Sequence, residues 1–381
     1  MSNSKIGTVE AIFIILAIAI SHSTLSLPRN LISQTKSGTI INIIFITIIA
    51  IVFSYLIFRL MKNFAGSDIV DIAEFVGGKT VKNIIGFIFI AHFMICSSML
   101  LRNFCESLQL VYFQMTDIIF IILLFIIAMC ICSSLSSNAT FKANLIILPI
   151  ALISIIIIFL ANFKSFDPQK MFPILGDGIY NTFFVGLLNL VSFEGILALY
   201  FLPPYLKEPQ KFKKIGIISM VATGFYLLLC VSIILFIFPA FTNINEVMPL
   251  YSAARYISFG TFLQRLEAFF MLIWIITFLS FICIACKFSV SIFQKITKAK
   301  DSKPLINVFG LLMLGISLLP KNLAYTTFFE SKIYVYSTIA LSFILGIGIL
   351  VIANIKKRSE NRNIIKSKSI QKWRWFLESF I

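Results

Sequence analysis

Ten apolar blocks dominate the sequence, each close to the length needed to cross a hydrocarbon core and separated by charged or Pro/Gly-containing breaks. Their bounds are 7–33, 39–61, 81–110, 117–135, 141–163, 178–203, 213–238, 261–296, 304–320 and 331–354. In lipid every backbone N–H and C=O has to be met within the protein, so a chain patterned this way folds as a helical bundle. Composition removes the alternatives. With 59% hydrophobic and 13% charged residues there is too little charge for an aqueous surface, which excludes soluble enzymes, disordered chains and secreted disulfide scaffolds. The sequence reads as an all-α integral membrane protein of ten transmembrane helices, with a membrane domain over 1–354 and a basic cytoplasmic tail over 355–381.

An even number of spans places both termini on one side. Of the 32 Lys and Arg residues, 22 fall in the terminal segments and loops of that side and 8 on the other, while Arg102 and Lys287 lie within spans. Short cytoplasmic loops retain basic residues, so the chain is expected N-in and C-in. The formal +16 charge is therefore mostly topological; the bilayer is the expected partner, and no nucleic acid is expected. Ala17-Ile18-Ala19 lies inside the first apolar run, not after it, so that block reads as a retained helix. All seven cysteines sit in spans, and the ligand-like spacing of Cys283 and Cys286 has no second pair or histidine to complete it. No disulfide, metal or cofactor is expected. Neither is catalysis: there is no nucleophile elbow, phosphate loop or metal signature, and Gly346-Ile347-Gly348 reads as helix packing.

The blocks divide five and five, into repeats of about 7–163 and 178–354, and the first block of each half is interrupted by polar residues. Irregular backbone at bilayer depth is tolerated where it lines a cavity, which makes such interruptions the expected ligand site of an inverted-repeat transporter. Block one carries Ser21, His22, Ser23 and Thr24, then Leu27-Pro28; block six carries Asn189, Ser192, Phe193, Glu194 and Gly195, then Pro203-Pro204. The two polar runs are expected to meet near the midplane. Glu194 is the leading candidate, because an acid there is costly unless paired, protonated or in a wet cavity. His22 could hold a carboxylate or sense protons. The competing reading of the serines and threonine is that they bond back to their own helix.

Block three offers Arg102 and Glu106, four apart and so on one face, either a structural ion pair or a gate. His92 reads as a packing histidine. Block eight, the longest, has Arg265 and Glu267 at its outer end, and Lys287 is placed near the inner interface. Before block three, Ser67 to Lys79 reads as a short amphipathic helix with Ser67 as N-cap, terminated by Gly77-Gly78. The tail ends Trp373-Arg374-Trp375-Phe376-Leu377, an aromatic and basic combination suited to an anionic leaflet or a partner protein.

Four stretches in this order resemble the B subunit of GerA-type spore germinant receptors, the spore germination permeases of the amino acid-polyamine-organocation superfamily. They are Leu25-Ser26-Leu27-Pro28-Arg29, the Asp68 to Lys79 helix, Leu101-Arg102-Asn103-Phe104-Cys105-Glu106, and Arg265-Leu266-Glu267-Ala268-Phe269 followed by Trp274. The resemblance implies a LeuT-like fold with broken helices 1 and 6, residence in the spore inner membrane, and assembly with an A subunit and a lipoprotein C subunit. It further implies a site for a small germinant, an amino acid by class, between helices 1 and 6, with Ser21 to Thr24 and Ser192 to Gly195 as pocket and Arg102, Glu106, Arg265 and Glu267 as gating or structural positions. Two departures stand out. Ser-His-Ser replaces the glycines usual at the helix 1 break, and Gln264 stands where the family has an acid before Arg265.

Overall fold

The computed structural model describes residues 5–23, 27–238, 248–257, 266–360 and 362. Thr24, Gln264, Arg265 and the Trp373 to Leu377 motif lie outside the described residues, as does the side chain of Ser23.

The chain is a helical bundle. The first half comprises α1 (Thr8–Ser23), α2 (Leu27–Thr35), α3 (Thr39–Met61), α4 (Ile69–Val111), α5 (Ile118–Ser134) and α6 (Ser137–Ala161). A segment wound as π-helix over Tyr180–Phe184 and as 3-10 helix over Val185–Phe193 then leads into α7 (Ile196–Leu199). There follow α8 (Phe212–Ile237), α9 (Pro249–Arg255), α10 (Leu266–Thr297), α11 (Lys303–Ser317), α12 (Leu323–Phe328) and α13 (Val335–Ile339). Among the described residues, six helices are long and apolar enough to cross a membrane and four are shorter apolar helices, which together correspond to the ten blocks. In the first span α1 is described as far as Ser23 and α2 from Leu27.

The tenth span departs most from expectation. It is helical from Leu323 to Glu360, eight residues ahead of the expected start at 331, so Glu330 falls inside the bundle and not in a loop. The reason is a polar stripe of four-residue period, Thr326, Glu330, Tyr334, Thr338 and Ser342, all fully buried. In an α-helix of 3.6 residues per turn such a repeat drifts off one face by about 40° at each step. Two wider π segments, Phe329–Tyr334 and Ala340–Leu345, take up that drift and keep the stripe turned inward. Further along, Gly346 lies against the Tyr200 ring, where an added Cβ would come within 2.4 Å of Cζ, and the Tyr200 hydroxyl donates to the Ser342 carbonyl at 2.6 Å.

On the face carrying the N-terminus, the amphipathic helix is capped by Asp68 and not by Ser67. Asp68 accepts from the N–H groups of Val70 and Asp71, while Asp71 accepts from the Asp68 N–H. Asp68 wins because its carboxylate also reaches Lys295 at the end of α10, whose ammonium lies 2.6 Å from both Asp68 and Asp71. Gly78, with φ +69°, turns the chain into the transmembrane part of α4. Burial pushes the Asp68 carboxyl up to about 6, against the pull of Lys295. Folded-state protonation of Asp68 thus favours folding at low pH, a contribution lost as pH rises through about 6. Lys295→Ala leaves two carboxylates facing one another, one of them buried. We expect it to lose about 2 kcal/mol at neutral pH, discounted for the partial exposure of Lys295 and Asp71, with much of the loss recovered on acidification below pH 6. Thermal unfolding of both proteins across pH checks this; equal losses at every pH would show that the ammonium does not hold the pair.

Candidate functional site

The interrupted sixth span passes directly over α1. A Cβ at Gly195 would lie 2.5 Å from the Ile15 carbonyl oxygen, so only glycine permits the approach. The sixth span is interrupted in a different manner from that expected. It is tightened, not unwound: Glu194 N–H bonds Val191 O at 3.0 Å and Leu197 N–H bonds Glu194 O at 2.8 Å, so its backbone is satisfied internally. What the interruption supplies is the side chain of Glu194, placed beside α1 and the buried stripe of the tenth span.

Around it is a buried polar cluster. The Tyr334 hydroxyl donates to Glu194 Oε2. The His22 ring meets the Tyr334 ring edge to face, with centroids 4.8 Å apart, and its Nε2 lies 2.7 Å from Glu330 Oε1. Glu330 also accepts from Asn103 of α4 at 2.6 Å and from Asn30 of α2 at 3.3 Å. One turn further along α4, Glu106 lies 2.7 Å from Arg102 Nε, and Thr326 donates to the second Glu106 oxygen at 3.2 Å. The α4 helix and the tenth span are thus joined at two levels by side-chain hydrogen bonds in a setting where water does not compete. Two small cavities flank the cluster. One of about 20 Å³ is lined by Glu194 with Ile18, His92, Cys96 and aromatic rings; the other, of about 50 Å³, is lined by His22, Asn30, Gln34, Asn189 and Glu330. A larger cleft of about 380 Å³ lies elsewhere, between Phe64 and Phe212 on the N-terminal face, and touches none of these residues.

The sequence-derived candidates separate on this geometry. His22 and Glu194 come together through Tyr334. Ser21 bonds back to the Ile18 carbonyl at 2.9 Å, the bland alternative for that residue. Asn189 donates to Asn42 of α3 at 2.7 Å, and Asn42 in turn donates to the Thr182 and Gly186 carbonyls; it also borders the second cavity. Phe193 is core. Ser192 Oγ, Glu194 Oε1 and His22 Nδ1 are buried without a hydrogen-bond partner among the described residues. Arg102 and Glu106 form the pair their spacing foretold. Glu267 stands in the first turn of α10. Lys287 reaches the Leu135 carbonyl at 2.6 Å, and the Nδ1 of His92 lies 3.5 Å from Cys96 Sγ.

Glu330, Tyr334, Asn103 and Asn30 escaped the sequence reading. Glu330 was lost because Lys321, Glu330 and Lys332 together look like a loop; the four-residue polar period from Thr326 to Ser342 is the signal that retrieves it.

Comparison with known proteins agrees with this architecture. The chain is 26% identical to spore germination protein YndE of Bacillus subtilis (strain 168), over 94% of its own length and 98% of that protein. It is 25% identical to spore germination protein A2 of the same organism, with 93% and 97% covered. Among solved structures it resembles Mhp1, a nucleobase-cation-symport-1 family transporter in a closed conformation with bromovinylhydantoin bound. The TM-score is 0.63 at 12% identity, covering 90% of this chain and 77% of that one. The LeuT-like fold expected from the sequence is therefore present. Because the profile of the family described as spore germination protein also matches residues 5–326, across the first nine spans and into the tenth, the chain belongs to that family.

Proposed function

We propose that this protein is the membrane subunit of a nutrient germinant receptor in the spore inner membrane, oriented N-in and C-in. A small germinant of the amino acid class binds at mid-depth, and the resulting shift passes to A and C partner subunits. The observation that carries this reading is the buried cluster linking α1, α4, the sixth span and the tenth, with Glu194 and His22 left incompletely bonded beside two small cavities. A ligand shifts such an equilibrium only by binding one arrangement of these helices better than another. Spores lacking the protein are expected to lose germination with at least one nutrient, and normal germination with every nutrient would remove the proposal.

A proton-coupled amino acid permease is the second reading, favoured by the two buried acids and the His22–Glu330 contact at 2.7 Å. Reconstituted vesicles separate the two. Concentrative uptake driven by a pH gradient is expected of a permease, and ligand binding without counterflow of a sensor. In either case Glu194→Gln and His22→Ala are expected to abolish ligand-induced thermal stabilisation at unchanged expression.

A further inference from the structure

The two buried carboxylates of the cluster are unequally served. Glu330 is met by His22 and by two asparagine amides, within 2.6 to 3.3 Å. Glu194, 4% exposed, has a donor on Oε2 alone, while Oε1 is buried without one. Phe93, Phe281 and Phe288, with Ile18 and Leu197, belong to the apolar part of the wall of the cavity on which Glu194 borders. The Phe93 and Phe288 ring centroids stand 5.8 Å apart, and both rings contact Phe201. Arg102, the buried guanidinium nearest along α4, is already held by Glu106, and among the described residues no Lys or Arg lines this cavity.

A carboxylate bordering a water-sized space among aromatic rings is a receptor for a cation. Inorganic cations are poorly matched. Hard ions take several oxygen ligands, whereas the cavity's polar side chains besides Glu194 are Ser97, whose hydroxyl already donates to the Phe93 carbonyl, and the His92–Cys96 pair. A primary ammonium needs less: one carboxylate to accept a hydrogen bond from it and π faces around its carbon. A carboxylate ligand would meet Glu194 with no Lys or Arg among the described lining residues to offset the repulsion.

We infer that the Glu194 cavity is the seat of a ligand's primary ammonium group, with the rings of Phe93, Phe281 and Phe288 around the carbon that bears it. This rests on the reading of the region as a ligand site and adds the charge of the group bound there. At about 20 Å³ the cavity admits a head the size of one water, so the smallest ammonium ions enter it as it stands and longer ones require the rings to part.

The test uses the full chain in lipid nanodiscs and three series of small probes: methyl-, ethyl- and propylammonium, the matching alcohols, and formate, acetate and propionate, with potassium and sodium chloride at the same ionic strength. Ammonium probes are expected to raise the thermal midpoint and the others to leave it unchanged. Glu194→Gln, nearly isosteric, is expected to weaken ammonium binding at least tenfold, and Phe281→Leu by about threefold to tenfold through loss of one π face. Equal stabilisation by alcohols, carboxylates or potassium overturns the assignment, as does no stabilisation by any ammonium probe. Retention of ammonium binding in folded Glu194→Gln overturns it too. Ammonium-specific binding in a protein whose deletion leaves all nutrient responses intact keeps this site and dismisses the receptor; lost responses with no ammonium selectivity do the reverse.

Discussion

Glu330→Ala is expected to cost about 3 kcal/mol of stability and to abolish ligand response altogether. The side chain is 2% exposed, accepts from Asn103 and Asn30 and lies 2.7 Å from His22 Nε2, residues that belong to three different helices. Each hydrogen bond between membrane helices contributes modestly, about 0.6 kcal/mol on average and up to about 1.7. Removing the shared partner, however, takes it at once from buried His22 and Asn103 and from half-buried Asn30, and that loss exceeds the sum of well-replaced single contacts. Glu330→Gln keeps the volume and one acceptor oxygen but sets an amide N–H₂ against either His22 or an asparagine amide. It is expected to restore about half of the lost stability and none of the response, since the charge facing His22 is gone. Thermal unfolding of the purified variants and nutrient response in spores carrying them give the two readouts. A wild-type midpoint in Glu330→Ala would mean that the asparagines find other acceptors and that the cluster does not hold the helices in register.

How much of this was legible in the sequence depends on the scale at which each residue acts. The spans were readable because hydrophobic length is a property of the chain alone. Arg102–Glu106 was readable because four residues on a helix is one turn. Asp68 was missed as N-cap, although Ser67 and Asp68 are both good capping residues, because the choice is decided by Lys295, more than two hundred positions away. Glu330 was missed for a related reason. Taken with Lys332 it marks a loop by local charge, and only the longer four-residue period, together with π segments that no local propensity announces, turns it inward. The polar run of the sixth span did mark a real interruption, but the chain met its backbone needs by tightening to i→i+3 bonds, an economy that composition does not foretell. At the candidate site, sequence supplied Glu194 and His22, and tertiary structure supplied the tyrosine and second acid that lie between and beside them.

Gly195→Ala is expected to be as damaging as loss of Glu330, by a different route. The added Cβ would lie 2.5 Å from the Ile15 carbonyl oxygen and 2.9 Å from Ile15 Cγ2. The first of these is main chain, in a helix whose Ile14, Ile15 and Ala17 are wholly buried, so no flexible side chain can yield. The sixth span has to move away from α1, and overpacking of this kind costs about 1 to 3 kcal/mol. Glu194, the adjacent residue, moves with it, away from Tyr334 and from the rings that close the cavity. The stability loss is therefore expected to be accompanied by loss of ligand-induced stabilisation even where the variant still folds. Gly348→Ala provides the control within the same protein: an added Cβ there meets nothing within 4 Å, and in a helix interior alanine is favoured over glycine by about 1 kcal/mol. A midpoint unchanged or raised in Gly348→Ala and lowered in Gly195→Ala would place the cost in the α1 contact and not in helix propensity. If instead both alanines are tolerated and ligand response survives, the sixth span has room to shift beside α1, and the close crossing at Ile15 is not what positions Glu194.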